Sequence, residues 1–203
     1  MKNLTESLKT LREIKDIAFA TVDAGGNPQV RIIDVMMADE DALYFCTARG
    51  KDFYLELISS GKVAAVALTK DWEMIRLSGR AVRLDEQKEW IDKIFENNPA
   101  MEGVYPGESR YILEAFCIDR GTVEVFDLSG HPICRRSYSL GGAEINSKGF
   151  VVNKNECISC GICAEKCPQG SIIMEDKAFI VEDHCLHCGL CSETCPSGAI
   201  KRR

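Results

Sequence analysis

The chain has 203 residues, 45% of them hydrophobic, eleven cysteines and a formal net charge of -6. That length suits two unequal domains, and a mildly acidic chain without a basic stripe is not expected to bind nucleic acid. No apolar run approaches the roughly 18 residues that span a bilayer, and the first residues read as amphipathic, not as a secretory leader, so no membrane partner is expected and a reducing cytoplasm is the expected location.

Leu4, Leu8, Leu11 and Ile14 fall at helical spacing among Thr5, Glu6, Lys9, Arg12 and Glu13, which predicts a short amphipathic helix. Residues 17–22 read as a strand, Asp23-Ala-Gly-Gly-Asn-Pro28 as a hairpin turn, and 29–37 as a second strand. Asp39-Glu-Asp41 turns the chain into a third, 42–47. Residues 51–60 read as a helix closed by Gly61. Two strands follow, 62–69 and 74–84, the second with a bulge or bend at Ser78-Gly79. Asp85 is expected to cap a helix running to Glu96, with Trp90, Ile91, Ile94 and Phe95 as its buried stripe. After an irregular loop over 100–110, residues 113–118 and 122–128 read as a hairpin around Asp119-Arg-Gly121. Residues 129–149, with Gly130, Pro132, Gly141, Gly142 and Gly149, read as the domain link. Many short strands, few helices and no β–α alternation predict a mainly β unit over 1–142, a small barrel with helices attached. Trp72 and Trp90 are expected in its core, and Cys117 and Cys134 as inert thiols.

The last part of the chain, 143–203, reads differently. Cys157-Ile-Ser-Cys160-Gly-Ile-Cys163-Ala-Glu-Lys-Cys167-Pro168 is repeated as Cys185-Leu-His-Cys188-Gly-Leu-Cys191-Ser-Glu-Thr-Cys195-Pro196. Three cysteines at this spacing aim three thiolates at one corner of a cubane, and the fourth of each run serves the other cluster. The expected ligand sets are Cys157, Cys160, Cys163 and Cys195 for one [4Fe-4S] cluster, and Cys185, Cys188, Cys191 and Cys167 for the other. Disulfides fit poorly without a secretory leader, and zinc prefers two separated pairs around one ion. The segment resembles bacterial two-cluster ferredoxins, which implies a small α+β domain holding two clusters.

No nucleotide-binding glycine motif or P-loop is present in the first part. Basic residues at strand ends stand out there: Arg31 in the second strand, and Arg49 and Lys51 after the third. If those two strands pair, the three lie at one end, where Lys51 opens a helix whose free N–H groups favour an anion. Gln29-Val-Arg-Ile-Ile-Asp-Val-Met36, followed by Ala42-Leu-Tyr-Phe-Cys-Thr-Ala-Arg-Gly-Lys51, resembles the pyridoxamine-phosphate-oxidase-like flavin-binding split barrels. The resemblance implies FMN held by Arg31, Arg49 and Lys51 at the phosphate, by Ile32, Ile33, Asp34 and Val35 along the ring edge, and by Cys46 and Thr47 near the ribityl chain. It also implies a homodimer in which Met74 and Arg76 reach the partner's flavin. Met36 stands where the oxidase proper has a basic residue, and its C-terminal substrate contacts are replaced by the cysteine-rich part, so vitamin B6 oxidation is not expected. The expected function is an FMN-dependent oxidoreductase whose clusters relay single electrons between the flavin and a redox protein or a small-molecule donor or acceptor. The alternative is a non-enzymatic electron carrier or redox sensor.

Overall fold

The computed structural model describes residues 2–203. Helix α1 (Leu4–Ile14) begins with a reciprocal cap: the Asn3 side chain accepts from the Glu6 N–H at 2.9 Å, and the Glu6 carboxylate accepts from the Asn3 N–H at 2.8 Å. It lays Leu8 and Leu11 against one curled sheet. The sheet holds β1 (Asp16–Val22), β2 (Pro28–Asp34), β3 (Met37–Ala38), β4 (Leu43–Ala48), β5 (Lys62–Leu68), β6 (Glu73–Arg83), β7 (Leu113–Asp127) and β8 (Cys134–Leu140). Its order is β2-β1-β5-β6-β7-β4-β3, with β8 also on β7. Helix α2 (Asp52–Ser60), ended by left-handed Gly61, covers the concave side with Phe53 and Leu57. Phe19, Phe45, Phe53 and Phe116 pack at centroid distances of 5.0 to 5.9 Å, some stacked and some tilted or edge-on, in the middle of the core. Helix α3 (Gln87–Asn97) packs Ile91, Ile94 and Phe95 around Met36, Cys46 and Ala48, forming a second cluster. The mainly β split barrel is therefore as expected.

Several local expectations fail. Residues 113–128 do not turn at Asp119-Arg-Gly121: β7 is one continuous fifteen-residue strand. Gly121 stands opposite Gly79, and a Cβ on Gly121 would lie 2.3 Å from the Ser78 carbonyl oxygen, one on Gly79 2.4 Å from that of Arg120. These glycines let two backbones approach closely, the alternative use of glycine within strands. The bulge in β6 falls between Arg80 and Val82, just beyond the expected Ser78-Gly79. The stretch 129–149 is not all link, because β8 adds to β7 from Gly121↔Leu140 to Asp127↔Cys134. Residues 29–37 are not one strand: β2 leaves β1 at Asp34, and Met37 begins a short pairing with β4. Asp85 is not the cap of α3; left-handed Glu86 occupies that position without a side-chain cap bond. Instead Gln87 ties the helix start to β7, accepting from the Ala115 N–H at 2.7 Å. Trp72 is 62% exposed on the turn before β6, not in the core, whereas Trp90 stacks on Tyr44.

The last part is built of two small antiparallel pairs. β9 (Phe150–Val152) pairs with β12 (Ile200–Arg202), and β10 (Ile172–Met174) with β11 (Ala178–Ile180). Short helices α4 (Ile162–Lys166) and α5 (Leu190–Glu193) follow the cysteine loops. Among the described residues no helix is long and apolar enough to cross a membrane.

Candidate functional site

The two cysteine runs share a backbone form as well as a spacing. Ser159 and Gly161 have φ of 59° and 78°, and their counterparts His187 and Gly189 have 58° and 88°. These left-handed residues wrap each loop tightly before its short helix, and glycine adopts the conformation without cost. One cavity is lined by Cys157, Cys160, Cys163 and Cys195, with Val152, Met174 and Ile200 around them. A second is lined by Cys167, Cys185, Cys188 and Cys191, with Phe150, Ile172 and Ile180. The last cysteine of each run thus stands with the first three of the other.

Four thiols around an apolar cavity fit an iron–sulfur cluster, whose thiolates stand further apart than the ligands of one ion. Among the described residues no His, Cys, Asp or Glu group closes to single-ion spacing. The donors fit as well. The Ser171 N–H reaches Cys167 Sγ at 3.3 Å and the His187 N–H reaches Cys185 Sγ at 3.4 Å, the polar contact that steadies a thiolate. N–H groups of Ala178 and Ser159 pull the Cys157 thiol below its ordinary value. Burial pushes the Cys191 thiol up to about 11.

The basic turn lies at the start of α2. Lys51 is its N-cap, exposed, and no side chain caps the helix end. Arg49 donates to the Tyr111 carbonyl at 2.8 Å and lies 3.6 Å from Glu114, which also binds Arg83 and Tyr54. Arg31 reaches α2 by another route than expected. β2 pairs with β1 and not with β4, so the hairpin around Asp39–Asp41 is confined to β3 and the start of β4 and does not include Arg31. The Arg31 guanidinium instead pairs with buried Glu56 at 2.9 Å, bonds to Thr21, and lies 4.8 Å from the Phe53 ring centre in the first turn of α2. Strand alternation separates the other residues. Ile32 is 63% exposed, Asp34 meets Lys15 at 3.4 Å, Ile33 packs against the core and Val35 is fully buried. Cys46 and Thr47 are both buried, with Cys46 on the α3 side. Burial pushes the Cys46 thiol up to about 12, with the Asp34 charge adding to this and the Lys51 charge opposing it. Met74 and Arg76 lie on the convex sheet face, Arg76 3.4 Å from Glu124. A helix start without a side-chain cap, flanked by Lys51 and Arg49, suits a terminal phosphate.

The two parts meet along β8. The Ile133 N–H donates to Gln169 at 3.3 Å, the Ile133 carbonyl lies 2.8 Å from His184 Nδ1, and Arg136 pairs with Asp183 at 3.3 Å. Beside this seam is a cavity of about 380 Å³, lined by residues that include Glu124, Arg135, Tyr138, Lys148 and His187.

The family model described as Pyridoxamine 5'-phosphate oxidase matches residues 4–105, half of the chain. The chain belongs to the pyridoxamine 5'-phosphate oxidase family. In this family member a 4Fe-4S dicluster domain model also matches, over residues 144–200. A NimC/NimA family protein from Clostridium acetobutylicum superposes with a TM-score of 0.56 at 22% identity, over 66% of this chain and 90% of that one. PhzG from Burkholderia lata, solved with tetrahydrophenazine-1-carboxylic acid, gives 0.50 at 18%, over 66% and 85%. A heme binding protein from Mycobacterium smegmatis gives 0.52 at 14%, over 71% and 62%. At such identities these likenesses speak for the split-barrel fold alone. An uncharacterized ferredoxin of Methanocaldococcus jannaschii is 56% identical over 32 residues, which are 15% of this chain and 19% of that protein. The chain thus spans under a fifth of that curated relative. Domains of two families, the oxidase-type barrel and a 4Fe-4S dicluster domain, therefore stand on one chain.

Glu56, Glu114 and the arginines of β8 were not found from sequence. Glu114 left one signal, a single acid inside the apolar run Leu113-Glu-Ala-Phe-Cys-Ile118. Such an acid is buried only when it is paired.

Proposed function

We propose that this chain is an FMN-dependent oxidoreductase in which two [4Fe-4S] clusters relay single electrons to or from the flavin. The observation that carries it is the seam: the domain with two four-cysteine cavities is hydrogen-bonded to Ile133, just before β8 of the flavoprotein-type barrel, and ion-paired to Arg136 within it. FMN would supply the ability to exchange one or two electrons, which joins single-electron supply to two-electron chemistry. Lys51, the free N–H groups of α2 and Arg49 would bind its phosphate, with Glu114 holding Arg49 in place. Arg31, held by Glu56, would steady the first turn of α2 beside them. Ile32, Ile33, Asp34, Val35, Cys46 and Thr47 would flank the ring and ribityl chain.

The same function calls for a homodimer. Val30 (73% exposed), Ile32 and Leu68 (51%) share the convex sheet face with Ala18, Ala20 and Val66, in register across β2, β1 and β5. The open side of an antiparallel sheet is ordinarily polar, so this apolar face favours a second copy as its cover. Met74 and Arg76 lie on that face and would reach the partner's flavin. Anaerobic protein is expected to hold about eight iron and eight sulfide per chain, and to release FMN on denaturation. In rapid mixing with a reduced one-electron carrier protein, flavin should be reduced faster in the intact protein than in Cys188→Ser. Absence of flavin, or equal rates, would overturn the proposal.

A further inference from the structure

We propose that the two cluster sites are unequal. The site of Cys167, Cys185, Cys188 and Cys191 is the inner one, coupled to the barrel with Arg135 setting its potential. The site of Cys157, Cys160, Cys163 and Cys195 is the outer one, left for an external one-electron carrier protein. This assignment rests on the function proposed above and deepens it.

The seam is made from the inner half. Gln169 follows Cys167-Pro168 directly, and Asp183 and His184 immediately precede Cys185. Through these residues the ligand-bearing loops are bonded to Ile133 and Arg136, at the start of β8 and just before it. Arg135, between them in sequence, is a positive charge held in place: it lies 3.3 Å from Glu124 and its guanidinium stacks 4.3 Å from the Phe126 ring centre. Its side chain is only 18% exposed, and its Nε is buried without a partner. Arg135 and His187 line the same cavity, and the His187 N–H meets Cys185 Sγ. The His187 ring lies directly against Gly149, where a Cβ would come within 2.8 Å of it.

The outer half has its own cation, on the turn between β10 and β11. Lys177 Nζ donates to the Cys157 carbonyl at 2.5 Å. Around it the surface is open and apolar: Ile158 is 62% exposed, and the cross-strand pair Ile173 and Phe179 are 49% and 54%. A fixed cation favours whichever state carries the extra electron, and its influence falls with distance. Arg135 and Lys177 should therefore each act on one cluster.

The test uses full-length anaerobic protein and redox titration followed by paramagnetic resonance. Cys188→Ser and Cys160→Ser identify the inner and outer signals; if either loses its cluster, the missing signal makes the assignment. Arg135→Gln is expected to weaken reduction of the inner cluster about tenfold, ~59 mV for one electron, and to leave the outer cluster unchanged. Arg135→Lys should restore the potential, and Lys177→Gln should shift the outer cluster alone. A water-soluble dysprosium chelate should speed relaxation of the outer signal more than the inner. Equal shifts of both clusters, a shift of the outer one alone by Arg135→Gln, no shift, or equal or reversed relaxation would overturn the assignment. FMN content of the same samples reports on the flavin separately, so its absence would remove the flavin and leave the cluster assignment standing.

Discussion

Glu114 shows how one residue can organise a site it does not enter. Its carboxylate holds Arg83, Arg49 and Tyr54 together, and the Arg83 hydrogen bond is the chief cause of its lowered pKa. A carboxylate depressed in the folded state adds stability above its unfolded value, about 4.3, and loses it as pH falls through the folded value. Glu114→Gln is therefore expected to cost about 1.5–3 kcal/mol near neutral pH. The difference from wild type should shrink below about pH 4, measured by denaturant unfolding at a series of pH values. A pH-independent difference would mean that packing, not charge, sets the cost. Lys51 makes a separate prediction. Lys51→Ala should weaken FMN binding by about 1.5–3 kcal/mol, the range for a charged hydrogen bond, with riboflavin nearly indifferent. Equal losses for both ligands, in fluorescence titrations, would move the phosphate away from α2.

At the scale of elements, β7 does the most. One edge pairs β4 along its first half and β8 along its second, while β6 runs along the other. That continuity requires a close crossing at Gly79 and Gly121, where a side chain on either strand meets opposing backbone that cannot move aside. Gly121→Ala is expected to destabilise the barrel by roughly 1–3 kcal/mol, the usual cost of overpacking. Thermal unfolding would measure it, and an unchanged midpoint would mean the strands separate at no cost. The ion pair Arg136–Asp183 should matter far less. Both side chains are about half exposed (52% and 50%), so breaking it should cost at most about 1 kcal/mol. The buried side of the seam, Ile133 against His184 and Gln169, holds the domains more firmly.

At the scale of the molecule, the two halves are stabilised by different means. The barrel buries a continuous apolar core, whereas in the last part six of the fourteen residues of the packed cluster are the cysteines Cys157, Cys163, Cys167, Cys185, Cys191 and Cys195. A core made of ligands depends on its metal. Removing iron with a chelator is expected to unfold that part while the barrel keeps its β-sheet circular dichroism; one cooperative loss of both would show that the seam couples their stability completely. In solution, light scattering is expected to give about twice the 22.5 kDa chain mass, and Ile32→Asp should shift it toward the monomer by placing a charge on the shared apolar face. A monomer that retains FMN would rule out the dimeric flavin site.

Where chemistry is carried by local spacing, the sequence determined it unaided. The cysteine runs, the αL glycines after their second cysteines, the capped first helix and the Lys51 helix start are all set within a few residues, because thiol reach and helix termini are short-range matters. Partner choice between strands is not short-range. Arg31 reads identically whether β2 lies beside β4 or β1, and only the curled sheet places it on Glu56 and Phe53. Glycines that look like a turn at Gly121 become a strand crossing once Gly79 is opposite, and a glycine-flanked link becomes β8 once β7 offers it an edge. Residues 134–140 alternate too weakly to declare themselves a strand, since their burial is decided by a neighbour distant in sequence. That strand and the residue before it in turn meet Gln169, Asp183 and His184, a result of long-range bonding that no local pattern encodes.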